Sequence, residues 1–175
     1  ASLEPELEPQ PQPQPEPRIL KLIVFDLDFT LWPYCVSMSI ASPFTRDANG
    51  DVVDSSGTIL QYYPDVPEVL ADLHQRGYIL GVASGCPDLA GCKQLLNLFG
   101  WDKYLSYVDI HPGHKFQHLE KIKKSSGVDF SEMLFFDDDQ RNVRDISSMG
   151  VVSVLVPEGG ITKPVVEYGI KLFER

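Results

Sequence analysis

The sequence predicts a doubly wound α/β fold with a mainly parallel sheet flanked by helices. Short apolar runs recur along the chain, and segments with helical apolar spacing separate them. Acidic residues follow the first and fourth of these runs, and sheets of this kind bind ligands beyond the carboxyl ends of their strands.

The alternation starts at Ile19. Residues 1–18 alternate Pro with Gln and Glu, as in Pro9-Gln10-Pro11-Gln12-Pro13. Proline removes backbone donors and the glutamates repel one another, so this stretch cannot build a core. It is predicted to be a disordered, polyproline-like tail, and residues 19–175 to be the domain.

The run Ile19 to Phe25 is short and almost wholly apolar, as in a strand buried on both faces of a parallel sheet. Similar runs lie at Tyr78 to Ala83, Tyr104 to Ile110, Met133 to Phe136 and Val151 to Val156. Between them, Val66, Val69, Leu70 and Leu73 fall on one helical face. Asp65 is expected to cap that helix, Glu68 to complete a capping box and Gly77 to close it. Leu95 to Phe99, then Leu119 and Ile122, then Val143, Ile146 and Met149 mark further helices, and Val165, Val166 and Ile170 a last one. Residues 33–63 carry no helical stripe but contain Asn49-Gly50 and Ser56-Gly57, so a short β-hairpin insertion is predicted there.

The 175 residues are enough for one full-sized core, and the 43% hydrophobic share is ordinary for a globular domain. A net charge of −10 argues against nucleic acid as the main partner. No apolar run is long enough to span a bilayer, and no signal-peptide pattern opens the chain. A cytoplasmic monomer without a membrane partner is therefore expected. Cys35, Cys86 and Cys92 are odd in number and lack zinc-ligand spacing, which predicts reduced thiols.

Four strand ends deliver chemistry. The first run ends in Asp26-Leu27-Asp28-Phe29-Thr30, and the fourth in Asp137-Asp138-Asp139; Ser84 follows the second, and Lys115 lies beyond the third. Gathered carboxylates need a cation or protons. Oxygen ligands without His or Cys suit Mg²⁺, which takes one or two carboxylates plus waters and phosphate. A carboxylate nucleophile would split phosphate-ester hydrolysis into two steps, with Lys115 and Ser84 holding the other phosphoryl oxygens. The i, i+2 spacing leaves Asp28 free to protonate a leaving oxygen and later activate water, with Thr30 steadying the loop.

D-L-D-F-T resembles the first motif of the haloacid dehalogenase superfamily. Together with L-W-P, Y-P-D-V-P-E-V-L, A-S, G-H-K and F-F-D-D-D-Q-R-N, it resembles that superfamily's magnesium-dependent phosphatase family from Leu20 onward. The resemblance implies a haloacid dehalogenase-like fold with the hairpin in place of a large cap. It implies Mg²⁺ as cofactor, an aspartyl-phosphate on Asp26, and Asp28 as acid/base that ligates metal through its carbonyl. Ser84, Gly85 and Lys115 would bind the phosphoryl group. Asp138 would ligate the metal directly and Asp137 through water, or the two would exchange roles; Asp139 would cap the next helix. The implied substrates are protein phosphotyrosine or phosphorylated sugars and sugar-amine adducts. Gly85 departs from the Arg found in many relatives. That departure and the tail keep open a second expectation, a catalytically weak binding or scaffold protein; a dehalogenase or mutase stands third. His114 and His118, spaced i, i+4, are not expected to bind metal, and Cys86 is expected to be a filler. The aromatic residues Trp32, Tyr34, Phe44, Tyr62 and Tyr63 would either line a substrate surface or pack the insertion.

Overall fold

A computed structural model describes residues 2–13 and 17–175; Ala1 and residues 14–16 of the expected tail lie outside the described residues. Residues 2–13 carry no regular secondary structure and are exposed. The domain runs β1 (Leu22–Phe25), β2 (Thr45–Arg46), β3 (Val52–Val53), α1 (Val66–Gln75), β4 (Ile79–Ser84), α2 (Leu89–Leu98), β5 (Leu105–Ile110), α3 (Lys115–Ser126), β6 (Met133–Asp137), α4 (Gln140–Ser147), β7 (Val152–Leu155) and α5 (Lys163–Glu174).

Five strands form one sheet in the order β5-β4-β1-β6-β7. Every pairing in it is parallel. The chain winds outward from β1 in one direction, then returns to β1's other edge, so β1 marks the topological switch point. Phe25 is in register with both Val82 and Phe136, which brings Asp26 level with Asp137.

Side-chain alternation along the strands builds two apolar layers. Ile23, Phe25, Leu134 and Phe136 pack with Val69, Leu73, Leu95 and Ile170 from α1, α2 and α5. Leu22, Val24, Met133 and Phe135 pack with Leu119, Ile122 and Ile146 from α3 and α4. Each fully buried side chain of this size contributes roughly 1.5–3 kcal/mol relative to exposure. Gly169 lets α5 approach the sheet, because a Cβ there would lie 2.7 Å from the Phe136 ring.

The expected capping box is not formed. Asp65 precedes α1, but its Oδ2 accepts from the Lys163 backbone N–H at 2.9 Å, and Glu68 pairs with the Lys163 ammonium. Asp65 itself has helical φ −82° and ψ −14° rather than the extended backbone of a capping residue, and its carboxyl serves the start of α5 instead. The first strand also starts later than the apolar run, at Leu22, with Ile19 exposed.

Within residues 33–63, β2 and β3 pair antiparallel around a turn led by Asp47, whose Oδ1 accepts from the Asn49 and Asp51 N–H groups at 2.9 Å each. Asp54 does the same for Ser56 and Thr58 at 3.0 Å. Aromatic packing seats the segment: Trp32 and Phe44 are buried, Trp32 stacks on Trp101 at 6.2 Å, and Tyr62 meets Phe99 edge-on at 5.1 Å. The Tyr34 hydroxyl accepts from the Gln61 N–H. These rings pack the insertion rather than line the cleft described next.

Candidate active site

A cleft of about 460 Å³ opens over the carboxyl ends of β1, β4 and β6. Asp26, Asp28, Ser84, Gly85, Lys115, Asp137 and Asp138 all line it. Lys115 sits at its base, at the first position of α3 and only 7% exposed. Its Nζ donates to Asp26 Oδ1 at 2.7 Å and to Asp137 Oδ2 at 2.9 Å. Burial alone would lower the pKa of this amine, but the two carboxylates outweigh that cost and hold it above the ordinary lysine value.

Each acid has its own support. Asp26 Oδ2 accepts from the Thr30 hydroxyl at 3.0 Å. Asp137 accepts from the Asp139 N–H at 2.9 Å and from Asn142 Nδ2 at 3.1 Å. Asp139 caps α4 by accepting from the Arg141 N–H at 2.8 Å. Asp26, Asp137 and Asp138 bring one carboxylate oxygen apiece to within 4.8 Å of one another. Burial, with Asp26 and Asp137 beside it, pushes Asp138 up to about 8. Burial and Asp26 likewise raise Asp137, although Lys115 opposes the shift. Several carboxylates thus share one amine, a surplus of negative charge that a divalent cation would neutralise.

Across the cleft, Asp28 has no cationic partner among the described residues. Its Oδ1 accepts from Trp32 Nε1 at 2.8 Å and from the Val36 N–H at 3.3 Å. Burial still raises its pKa, because those two donors recover only part of the lost hydration. The turn between Asp26 and Trp32 is tight: Phe29 adopts φ +59° and stands exposed at the rim, and its N–H donates to the Trp32 carbonyl at 2.7 Å. Ser84 Oγ accepts from the Cys86 N–H at 3.2 Å, which leaves its own O–H to donate elsewhere. At Gly85 the corner is open: a Cβ there would have the Gly113 carbonyl oxygen as its nearest neighbour, at 3.7 Å.

His114 and His118 do not share a helix face. His114 is the cap residue before α3, and only His118 lies within the helix. The cysteines Cys35, Cys86 and Cys92 are free thiols. Burial raises all three above the ordinary thiol value, so Cys86 lines the cleft as a poor nucleophile. The sequence gives Asn142 no role of its own and gives the Trp32 indole none at Asp28. Asn142 closes the F-F-D-D-D-Q-R-N motif, one helical turn beyond the acids, and that spacing is the available signal.

The parallel sheet ordered around a central β1, with an acid, a hydroxyl, an amine and a second acid cluster at its carboxyl edge, defines a haloacid dehalogenase-like phosphatase fold. The chain belongs to the acid phosphatase family, whose model matches residues 18–175. It is 38% identical over 158 residues to the human protein named magnesium-dependent phosphatase 1, covering 90% of this chain and 89% of that one. It is 36% identical over 142 residues to a HAD-like hydrolase superfamily protein of Schizosaccharomyces pombe, covering 75% of this chain and 82% of the relative. Among solved structures, the N-terminal part of BF1531 from Bacteroides fragilis, containing a phosphatase domain complexed with Mg, superposes with a TM-score of 0.65 at 19% identity. That match covers 90% of this chain and 41% of the other, and it shows the fold. No helix among the described residues is long and apolar enough to cross a membrane.

Proposed function

We propose that this cleft hydrolyses phosphate monoesters with Mg²⁺, through a phosphoryl group carried on Asp26. The observation that carries the reading is the Lys115 ammonium, shared between Asp26 at 2.7 Å and Asp137 at 2.9 Å where β1 and β6 end side by side. The donor set fits a hard cation: oxygen atoms only, with surplus negative charge. Asp26, Asp138 and the Asp28 carbonyl would hold Mg²⁺, with Asp137 acting behind them through water or in exchange with Asp138. When bound, the ion supplies screening between the carboxylates and an incoming phosphate dianion.

In the first step an Asp26 carboxylate oxygen attacks phosphorus, and the bond from phosphorus to the ester oxygen breaks. Asp28, whose burial holds its pKa above the ordinary carboxyl value, gives its proton to the leaving oxygen. In the second step Asp28 takes a proton from water. That water attacks phosphorus, the bond from phosphorus to Asp26 breaks, and inorganic phosphate leaves. Throughout, Lys115, Ser84 and the Gly85 backbone N–H hold the remaining phosphoryl oxygens. Thr30 keeps Asp26 from rotating away.

The insertion is small and the cleft lies open, which supports substrates whose phosphate projects from a larger body. Protein phosphotyrosine and phosphorylated sugars or sugar-amine adducts are the two classes we infer, turned over by a cytoplasmic monomer. The experiment is steady-state hydrolysis of an aryl phosphate. Activity requires Mg²⁺, disappears with a chelator, and falls at least about 1,000-fold in Asp26→Asn. Rapid acid quench of the active enzyme yields a phosphoryl adduct on the peptide bearing Asp26. Turnover that survives both chelation and the substitution would defeat the reading, and a phosphate panel ranked by kcat/KM separates the two substrate classes.

A further inference from the structure

His118 is wholly buried, yet the chemistry above does not use it. Its ring lies one turn into α3, three residues after Lys115. Nε2 lies 2.7 Å from the His111 carbonyl oxygen, and Nδ1 lies 3.0 Å from the His114 carbonyl oxygen. These two carbonyls bracket the loop that joins β5 to α3. The same His111 is tied to the other side of the cleft, because its N–H donates to the Ser84 carbonyl at 3.0 Å. A continuous path therefore runs from α3, through the imidazole, to the strand end that carries Ser84.

Both oxygens can only accept, and a neutral imidazole has one N–H to give. Burial holds the ring below histidine's ordinary pKa, so the neutral form prevails at pH 7. The shorter contact, from Nε2 to His111, takes that hydrogen. The contact to His114 is local to the helix start, where the Gln117 N–H already donates to the same carbonyl at 3.0 Å. The His111 ring stacks on His118 at 4.0 Å with planes 12° apart, and its Nε2 meets Asp109 Oδ2 at 2.8 Å. Asp109 also has Lys121 at 3.8 Å. Asp109, His111 and His118 do bring ligand atoms close together. Stacked rings, however, hold their nitrogen lone pairs in parallel planes instead of converging on one point, and the His118 nitrogens already face carbonyls. The cluster is built as a brace and not as a metal centre.

We propose that His118 is a positioning residue for phosphate transfer: its bond to the His111 carbonyl sets the spacing between Lys115 and Ser84. Lys115 opens the helix that His118 anchors, and Ser84 receives the N–H of the residue that His118 holds. A phosphoryl group gripped by both is sensitive to sub-ångström changes in that spacing. The inference rests on Lys115 as the phosphate-side cation.

Three substitutions in the full chain test it, with kcat and KM for an aryl phosphate in Mg²⁺ and with thermal unfolding as readouts. His118→Gln places an amide N–H near the position of Nε2. His118→Asn reaches only the position of Nδ1. His118→Leu keeps apolar volume without a donor. The expected order is His118→Gln within about threefold of the parent kcat, with His118→Asn and His118→Leu both down about tenfold or more and KM changed less than about threefold. A role in packing alone predicts that leucine does as well as glutamine; that result, or equal kcat in all three, overturns the proposal. Should the leucine variant not fold, the contrast between glutamine and asparagine decides alone. Lys115→Met is the control. If it leaves activity intact, the reading of the site is wrong; if it abolishes activity while His118→Asn does not lower kcat, only the role of His118 is wrong.

Discussion

The two walls of the cleft are built on opposite terms. On the β6 wall, Asp137 is met by an ammonium, a side-chain amide and a backbone N–H. On the insertion wall, Asp28 is met by one indole N–H and one backbone N–H, with no cation among the described residues. Burial raises the pKa on both walls. Only on the β6 wall does a fixed positive charge oppose it. On the proposed mechanism, identical side chains thus acquire separate tasks from their surroundings. The wall that gathers carboxylates around an amine is suited to bind a cation and a phosphate. The wall without a cation is suited to keep and return a proton.

One pair of substitutions would break that contrast most sharply. Lys115→Met removes the shared ammonium and leaves the buried Asp26 and Asp137 without a cationic partner, which costs ~3–5 kcal/mol of stability in metal-free protein. On the proposed mechanism the kcat falls about 100- to 1,000-fold with it, since Lys115 would face developing phosphoryl charge. Trp32→Phe, on the other wall, keeps the ring stacked near Trp101 and removes one charge-assisted hydrogen bond to Asp28. It lowers kcat by no more than about tenfold and costs ~1.5–3 kcal/mol. Denaturant titration and steady-state kinetics on both variants check the ranking; equal losses would mean that the two walls do not differ as described.

A smaller effect separates proton from cation on the β6 wall. The folded-state pKa of Asp138 is raised to about 8, above its unfolded value. Its contribution to stability is therefore complete below the unfolded carboxyl pKa and is lost as pH rises through about 8. Metal-free protein should lose melting temperature over that rise, and, with Asp138 as the proposed ligand, saturating Mg²⁺ should remove most of the slope, because the ion would replace the proton. Thermal melts at several pH values, with and without Mg²⁺, measure this directly. The reverse slope, with metal-free protein gaining stability toward pH 8, would show that Asp138 is not crowded by its neighbours.

How much of this is legible in the sequence follows from distance along the chain. Asp26, Ser84 and Asp137 each end an apolar run, and Lys115 begins a helix after one, so strand geometry alone carries them to one edge. The layers are equally readable, since Val69 and Leu73 or Leu119 and Ile122 declare their faces by spacing. What cannot be read are contacts made by closure. Asp65 has the pattern of a cap, yet its backbone is already helical and its carboxyl bonds Lys163, 98 residues away. The Trp32 indole reaches Asp28 through a turn that holds Phe29 at positive φ, a conformation no local propensity favours. The spacing of His118 from His114 raises only the question of a metal pair, whereas its partners are backbone carbonyls, which no residue pattern spells out.

The smallest expected effect concerns the third corner, where β4 ends. At Gly85 a Cβ would have the Gly113 carbonyl oxygen as its nearest neighbour, at 3.7 Å, which is ordinary contact. The position has no positive φ that would demand glycine. The Cβ of Gly85→Arg is therefore accommodated, and the new guanidinium would extend over a cleft already lined by Ser84 and Lys115. It adds a forked donor for phosphate that the present corner lacks. Because such a donor grips ground state and transition state alike, KM should fall about threefold to tenfold with kcat within about threefold of the parent. Competitive inhibition by inorganic phosphate should tighten in parallel. A rise in KM would mean that the open corner accommodates the body of the substrate rather than its phosphate. The contrast between the walls would then need a third term, a gap kept clear for the leaving group.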